Sequence, residues 1–266
     1  MMVWCSPAVM LYDLNVLWPQ DSSPSSITGV KKTLAVLQDL GYTTVALNVV
    51  HSGAVSPKNL SNPIDKQSLQ SQFPKLTILS RITLVVSDAS QNYNFQTVYS
   101  LFDLVAIRPL TEKALQSAAT ALDIDIISID CTHRLPFFLK FKTACTAVDR
   151  GVKLEICYAG STSDARKHII TNAAQVIRAS RKRGIIASSE SSSPLMVKSP
   201  YDVTNLLTVW GLDHMRARDA VGKSASLVVK NAALRNSSYK QVVQVTNKRT
   251  GESESKEPSK KLKTKS

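Results

Sequence analysis

The chain has 266 residues, 43% of them hydrophobic, and carries 33 Lys and Arg against 20 Asp and Glu for a net charge of +13. That length and apolar content suit one large α/β barrel or two small domains, and no apolar run is long enough to span a bilayer, so no membrane partner is expected. The positive balance points toward a polyanion, the alternative being a merely soluble basic surface.

The charge is unevenly placed. Residues 161–246 hold 13 Lys and Arg against 5 Asp and Glu, and residues 247–266 hold 7 against 3, while the first 160 residues are nearly balanced. Residues 1–10 have neither a basic start nor an adequate apolar stretch, so no secretory leader is expected. Cys5, Cys131, Cys145 and Cys157 are scattered and form no C-x-x-C, as reduced thiols of an intracellular protein would be.

Strands and helices alternate along the chain. Residues 8–16 predict a strand, 28–40 a helix stopped by Gly41, and 43–49 a second strand. Residues 52–75 are rich in Ser, Asn, Gln and Pro and predict a long surface loop with one short helix. Strands follow at 81–86 and 103–107, a helix at 111–122 capped by Thr111, and a strand at 124–129. Residues 135–150 predict a helix ended by Gly151.

The most informative stretch is 152–188. V-K-L-E-I-C-Y at 152–158 predicts a strand, 163–183 a long helix, and 184–188 another strand, which together make one parallel crossover. Ser161, Thr162, Ser163 and Asp164 all offer N-caps, and Gly184 fits a left-handed stop. Ile169, Ala173, Val176, Ile177 and Ser180 share one stripe, with Lys167, Arg178, Arg181 and Lys182 opposite.

An eighth strand at 195–198 is boxed in by Pro194 and Pro200. Helices at 203–209 and 213–221, broken at Gly211, and at 224–234 would pack beneath or beside the sheet. From about Asn236 the composition turns to Lys, Glu and Ser. The expectation is one domain over 1–235 and a disordered basic tail over 236–266. Seven or eight strand–helix units favour a (β/α) barrel of TIM type over an open doubly wound sheet, and no G-x-G-x-x-G follows the first strand.

Residues just after the strands of such a barrel gather at one mouth. They are Asp13, Asn15, Asn48, Asp88, Arg108, Asp130, Thr132, His133, Arg134, Tyr158, Ser188 and Ser189. This ring is either a catalytic or metal site or the polar rim that every barrel has. The four His, at 51, 133, 168 and 214, show no metal-ligand spacing, and G-x-S-x-G and P-loop signatures are absent, so neither a metal site nor catalytic residues are expected in this chain. Arg166 and Lys167 at one end of the long helix, and Arg178, Arg181, Lys182 and Arg183 at the other, exceed what the helix dipole needs and suit phosphate contacts, with Arg108, Arg134, Lys140 and Lys142 expected to meet RNA as well. Arg134, Lys140 and Lys142 bracket Phe137, Phe138 and Phe141, which either stack bases or fill the core. Lys260, Lys261, Lys263 and Lys265 form a nuclear-localisation-like run or a solvated tail.

With these segments placed, the chain resembles the TIM-barrel protein subunit of eukaryotic and archaeal ribonuclease P, shared in eukaryotes with ribonuclease MRP. The resemblance lies in Y-D-L-N-V at 12–16, R-I-T-L-V-V-S-D at 81–88, D-L-V-A-I-R-P-L-T-E-K at 103–113 and L-P-F-F-L-K-F-K at 135–142. It continues through D-R-G-V-K-L-E-I-C-Y at 149–158, the basic helix and following strand at 166–189, and P-Y-D-V-T-N-L-L at 200–207. That family is similar in fold to the PHP phosphoesterases, which open with D-L-H-x-H. Here Asn15 and Leu17 stand where both His ligands would be.

The resemblance implies a non-catalytic subunit of a nuclear and nucleolar particle. It implies no cofactor on this chain, with Mg²⁺ on the RNA. The implied partners are the RNase P or MRP RNA, precursor tRNA, a small α/β protein subunit and the other protein subunits. The implied work is 5′-leader removal and pre-rRNA processing, with recognition by RNA shape and backbone. The alternative is a degenerate PHP-type phosphoesterase with its own metal.

Overall fold

Strands that run without break through Val, Ile and Leu must be covered on both faces, and crossover helices cover the outer one. The computed structural model describes residues 10–21, 23–53, 60–87, 95–160, 162–239 and 243–244. Its strands are β1 (Tyr12–Leu17), β2 (Thr44–Ser52), β3 (Thr77–Val86), β4 (Leu104–Pro109), β5 (Ile126–Ile129), β6 (Lys153–Cys157) and β7 (Ile185–Ser188). They pair in chain order, every neighbour parallel. Between them run α1 (Pro24–Asp39), α2 (Lys66–Gln72), α3 (Phe95–Leu101), α4 (Glu112–Thr120), α5 (Phe141–Asp149) and α6 (Ser163–Ala179).

The sheet curls until β7 nearly meets β1. Glu190 N–H donates to Asn15 O at 2.7 Å, and Leu17 N–H to Ser191 O at 3.0 Å, beside an isolated parallel bridge between Val16 and Ser191. No eighth barrel strand lies at 195–198. Pro194–Met196 is a 3-10 turn instead, as the flanking prolines favour.

Period-two alternation sorts each strand. Val45, Leu47, Ile82, Leu84, Val105, Ile107, Ile127, Leu154 and Ile156 face the helix layer. Tyr12, Leu14, Ala46, Leu104, Ala106, Ile126 and Ile186 face inward at the N-terminal end of the barrel. The helices α7 (Pro200–Val209), α8 (His214–Val221) and α9 (Lys223–Ser237) follow β7, and Ala225, Val228 and Ala232 of α9 seal that end from beneath. Arg235 of α9 locks to Asp125 at 2.5 Å and lies 4.3 Å over the Tyr99 ring.

Several boundaries differ from expectation. Strand β3 begins at Thr77, not 81, and Leu60, Ile64 and Leu69 of the expected surface loop are buried. Helix α3, which has no strong periodicity, was not foreseen. Secondary structure reaches beyond Asn236, to a short pairing of β8 (Ser238–Tyr239) with β9 (Val243–Gln244). Lys260, Lys261, Lys263 and Lys265, with the tail from 245 onward, lie outside the described residues.

The expected helix at 135–150 is shorter, starting at Phe141. Pro136 disfavours helix in the residue before it, and 135–140 is an irregular run, bent at Pro136 and Phe137, in which Leu135, Phe137 and Leu139 pack inward while Pro136, Phe138 and Lys140 face out. The basic helix also stops early, at Ala179. Arg181 (φ 53°) and Lys182 (φ 61°) take the left-handed turn expected of Gly184 alone. Gly184 (φ 65°) has a second reason to be Gly: a Cβ there would sit 2.6 Å from Val148 Cγ2.

Candidate functional site

Above the apolar layer the barrel interior is polar and fully buried. Arg81 Nη1 and Nη2 bind the two Glu155 oxygens at 2.5 and 2.6 Å, and Nη1 also donates to Leu14 O at 2.7 Å. Arg81 Nε reaches Thr83 Oγ1 at 3.2 Å, Thr83 donates to Asn48 Oδ1 at 2.8 Å, and Asn48 Nδ2 to Asn15 Oδ1 at 2.7 Å. Asn15 Nδ2 returns to Glu155 Oε2 at 3.3 Å, which closes the ring. A register irregularity in β1 between Asp13 and Val16 breaks strict alternation and lets Leu14 and Asn15 both serve the interior. Both charged side chains are 0% exposed. Burial alone would push the Glu155 carboxyl up, but the Arg81 guanidinium, helped by the Ser128 and Ser188 hydroxyls, holds it below its ordinary value.

This network has little reactive capacity. The carboxylate is committed to a bidentate guanidinium, and burial with the nearby Glu155 charge pushes the Cys157 thiol well above its ordinary value. Cys131 is likewise pushed up to about 12 by burial. The side chains do not fit a divalent metal either. Among the described residues no three His, Cys, Asp or Glu converge on one point, and a guanidinium sits in the middle of the ring.

The expected mouth ring separates into three levels. Asn15, Asn48 and Ser188 belong to the buried interior. Asp13 sits at the seam, where its Oδ1 accepts from Ser189 N–H at 3.1 Å and from Asn15 N–H at 3.2 Å. Burial outweighs those bonds and raises its pKa to about 6. Arg108, Asp130, Thr132 and His133 do line the mouth, a cavity of about 640 Å³ with His168, Asp164 and Glu190. Asp130 is held below its ordinary value, because bonds from Thr132 and His133 exceed the effect of burial. Tyr158 and Ser189 are buried, and Asp88 lies outside the described residues.

Sequence reasoning missed Arg81, Glu155 and Glu190. The signal for the first two was present: a charge at the head of R-I-T-L-V-V and another inside V-K-L-E-I-C-Y, both in strands whose apolar residues must be buried. Glu190 pairs with Arg108 at 2.5 Å from a left-handed backbone (φ 54°), and nothing local in the sequence announces that.

The basic positions also sort by geometry. Lys140, Lys167, Lys182 and Arg183 already face Glu112, Asp164, Asp213 and Asp149 at 2.5, 3.1, 2.9 and 3.4 Å. Arg166 Nε turns back to Gly160 O at 3.4 Å. Arg134, Lys142, Arg178 and Arg181 are exposed, and among the described residues no carboxylate lies within ion-pair distance of them. Arg181 lies 5.1 Å over the Phe141 ring. Phe137 packs partly against the core, but Phe138 and Phe141 are 74% and 58% exposed, so core filling accounts for only one of the three.

The same chain matches known proteins along nearly its whole described length. The family model for RNase P subunit p30 matches residues 10–237. Schizosaccharomyces pombe "probable ribonuclease P protein subunit 3" is 40% identical over 241 residues, covering 88% of this chain and 98% of the relative. Saccharomyces cerevisiae "ribonuclease P/MRP protein subunit RPP1" is 41% identical over 247 residues, covering 88% and 84%. A chain of an archaeal ribonuclease P solved with mature tRNA superposes with a TM-score of 0.67 at 14% identity, covering 90% of this chain and all of that one, which supports the barrel fold. This chain therefore belongs to the ribonuclease P subunit p30 family.

Proposed function

We propose that this chain, a ribonuclease P protein subunit by family, serves its particle as a non-catalytic RNA-binding scaffold. In this reading the catalytic Mg²⁺ sits on the RNA and this chain carries no metal. Precursor tRNA, a small α/β protein subunit and the other subunits of the particle are its partners, with MRP RNA as a second assembly. The observation that carries the reading is the barrel interior: a guanidinium locked on Glu155 fills the space where a hydrolase of this shape would converge its ligands. The exposed cations of the α5–α6 side, unmatched by carboxylates, supply what a phosphate backbone binds. We also place the protein in the nucleus and nucleolus, with the Lys260, Lys261, Lys263 and Lys265 run as the import signal.

The test is affinity purification of the tagged full-length chain from its own cells. The expected result is one enriched structured RNA, together with precursor-tRNA 5′-leader cleavage that micrococcal nuclease abolishes. The isolated chain should hold no stoichiometric zinc or manganese and hydrolyse no phosphoester. Purification without RNA, or metal retained through chelation with activity lost in Asp13→Ala, would favour the degenerate phosphoesterase instead.

A further inference from the structure

We propose that the Phe138–Phe141 face between the 135–140 run and the end of α6 is a stacking platform for an unpaired nucleotide. This rests on the RNA-binding reading and sharpens it, since that reading alone asks only for backbone contacts. The platform is built, not incidental. Leu139 is 4% exposed, and Leu135 and Phe137 pack partly against the core, which leaves Phe138 between them facing outward. Asn172 Nδ2 pins the start of the segment through Cys131 O and His133 O at 3.1 and 2.7 Å. Lys140 then caps α5, and Phe141 emerges at its first turn beside the end of α6.

The surroundings favour a nucleotide over an apolar peptide. The Arg181 guanidinium covers one side of the Phe141 ring. It is held there by a left-handed turn (φ 53°) whose carbonyls, Arg181 O and Lys182 O, accept from Arg216 Nη1 at 3.3 and 3.2 Å. Arg178 lies in the last turn of α6, just before that turn, and Lys142 follows Phe141. An apolar partner would bury these cations at a desolvation cost. A nucleotide satisfies both halves at once, with its base on an exposed ring and its phosphate on Arg178, Arg181 or Lys142. The base must be unpaired, because a base within a duplex is stacked on both faces and inaccessible from the side.

The experiment measures fluorescence anisotropy of the full-length chain with a labelled 12-nucleotide oligoadenylate and, in parallel, a 16-base-pair RNA duplex. Phe138→Ala/Phe141→Ala should weaken oligoadenylate binding roughly ten- to a hundredfold, the effect of one lost stacked base. The salt slope and duplex binding should stay as in the unaltered chain, and Phe138→Trp/Phe141→Trp should retain oligoadenylate affinity. Phe138→Ala alone, at the more exposed ring, gives the same direction if the double variant melts early. Unchanged oligoadenylate binding in the Ala variants overturns the platform and leaves the RNA-binding reading standing. The same holds if those variants bind RNA normally but fail to co-purify with protein subunits, which would make the face a protein contact. An unaltered chain that binds neither probe removes both.

Discussion

The Arg81–Glu155 pair should behave as a unit whose halves cannot be removed singly. Glu155→Leu leaves a guanidinium with 0% exposure facing only Leu14 O and Thr83 Oγ1. Arg81→Met leaves a buried carboxylate that keeps the Asn15 amide but no cation. Each single change should cost about 3–5 kcal/mol, because an uncompensated charge stays in the barrel. That is a large share of the roughly 5–15 kcal/mol that holds a typical domain together. The double variant removes both charges and should lie within about 2 kcal/mol of the unaltered chain, so the coupling between the two sites should exceed either single loss. Urea denaturation of the full-length chain and its three variants at pH 7 measures this cycle. Single losses below about 1 kcal/mol, or losses that simply add, would refute the closed ring, since both outcomes require water or another group to reach the charges.

Other consequences are as direct. Asp13→Asn should stabilise the chain at pH 7 by on the order of 3 kcal/mol, because the folded carboxyl titrates near 6 against an ordinary 3.8. Between those pH values the folded chain keeps a proton that the unfolded chain has lost, so the stability of the unaltered chain falls as pH rises from 3.8 to about 6. The advantage of the variant should vanish below that window, and thermal melts at pH 3.5 and pH 7 compare the two. Arg178→Ala/Arg181→Ala should weaken RNA binding and flatten the log K against log salt slope by about 0.7–0.9 per lost contact, read by titration from 50 to 300 mM salt. Lys182→Ala should add little, as Lys182 already faces Asp213. Deleting residues 246–266, nearly free of apolar side chains, should leave the melting temperature nearly unchanged and reduce nuclear accumulation of a fluorescent fusion.

The barrel was legible because its strands are rich in Val, Ile and Leu and punctuated by caps. Thr111 and Thr162 do accept from Ala114 N–H and Ala165 N–H, and the Ile169, Ala173, Val176, Ile177 and Ser180 stripe is buried. What failed was non-local. The mouth ring was read from positions just after the strands, but Asn15 and Asn48 lie within β1 and β2, and the β1 irregularity draws Asn15 into the interior. Glu190 reaches Arg108 only because β7 closes against β1, a contact 82 residues apart in sequence. The aromatic run at 135–142 looked helical by spacing, whereas residues 135–140 are irregular and the helix starts only at Phe141, which leaves Phe138 and Phe141 exposed.

The central claim is that this chain meets RNA along its α5–α6 side. Ultraviolet crosslinking in the purified native particle, followed by mass spectrometry of this chain, tests it most directly. The account predicts RNA adducts on the peptides carrying residues 134–142 and 178–183. Adducts confined to other surfaces of the chain, or none at all in a particle whose RNA is intact, would contradict it.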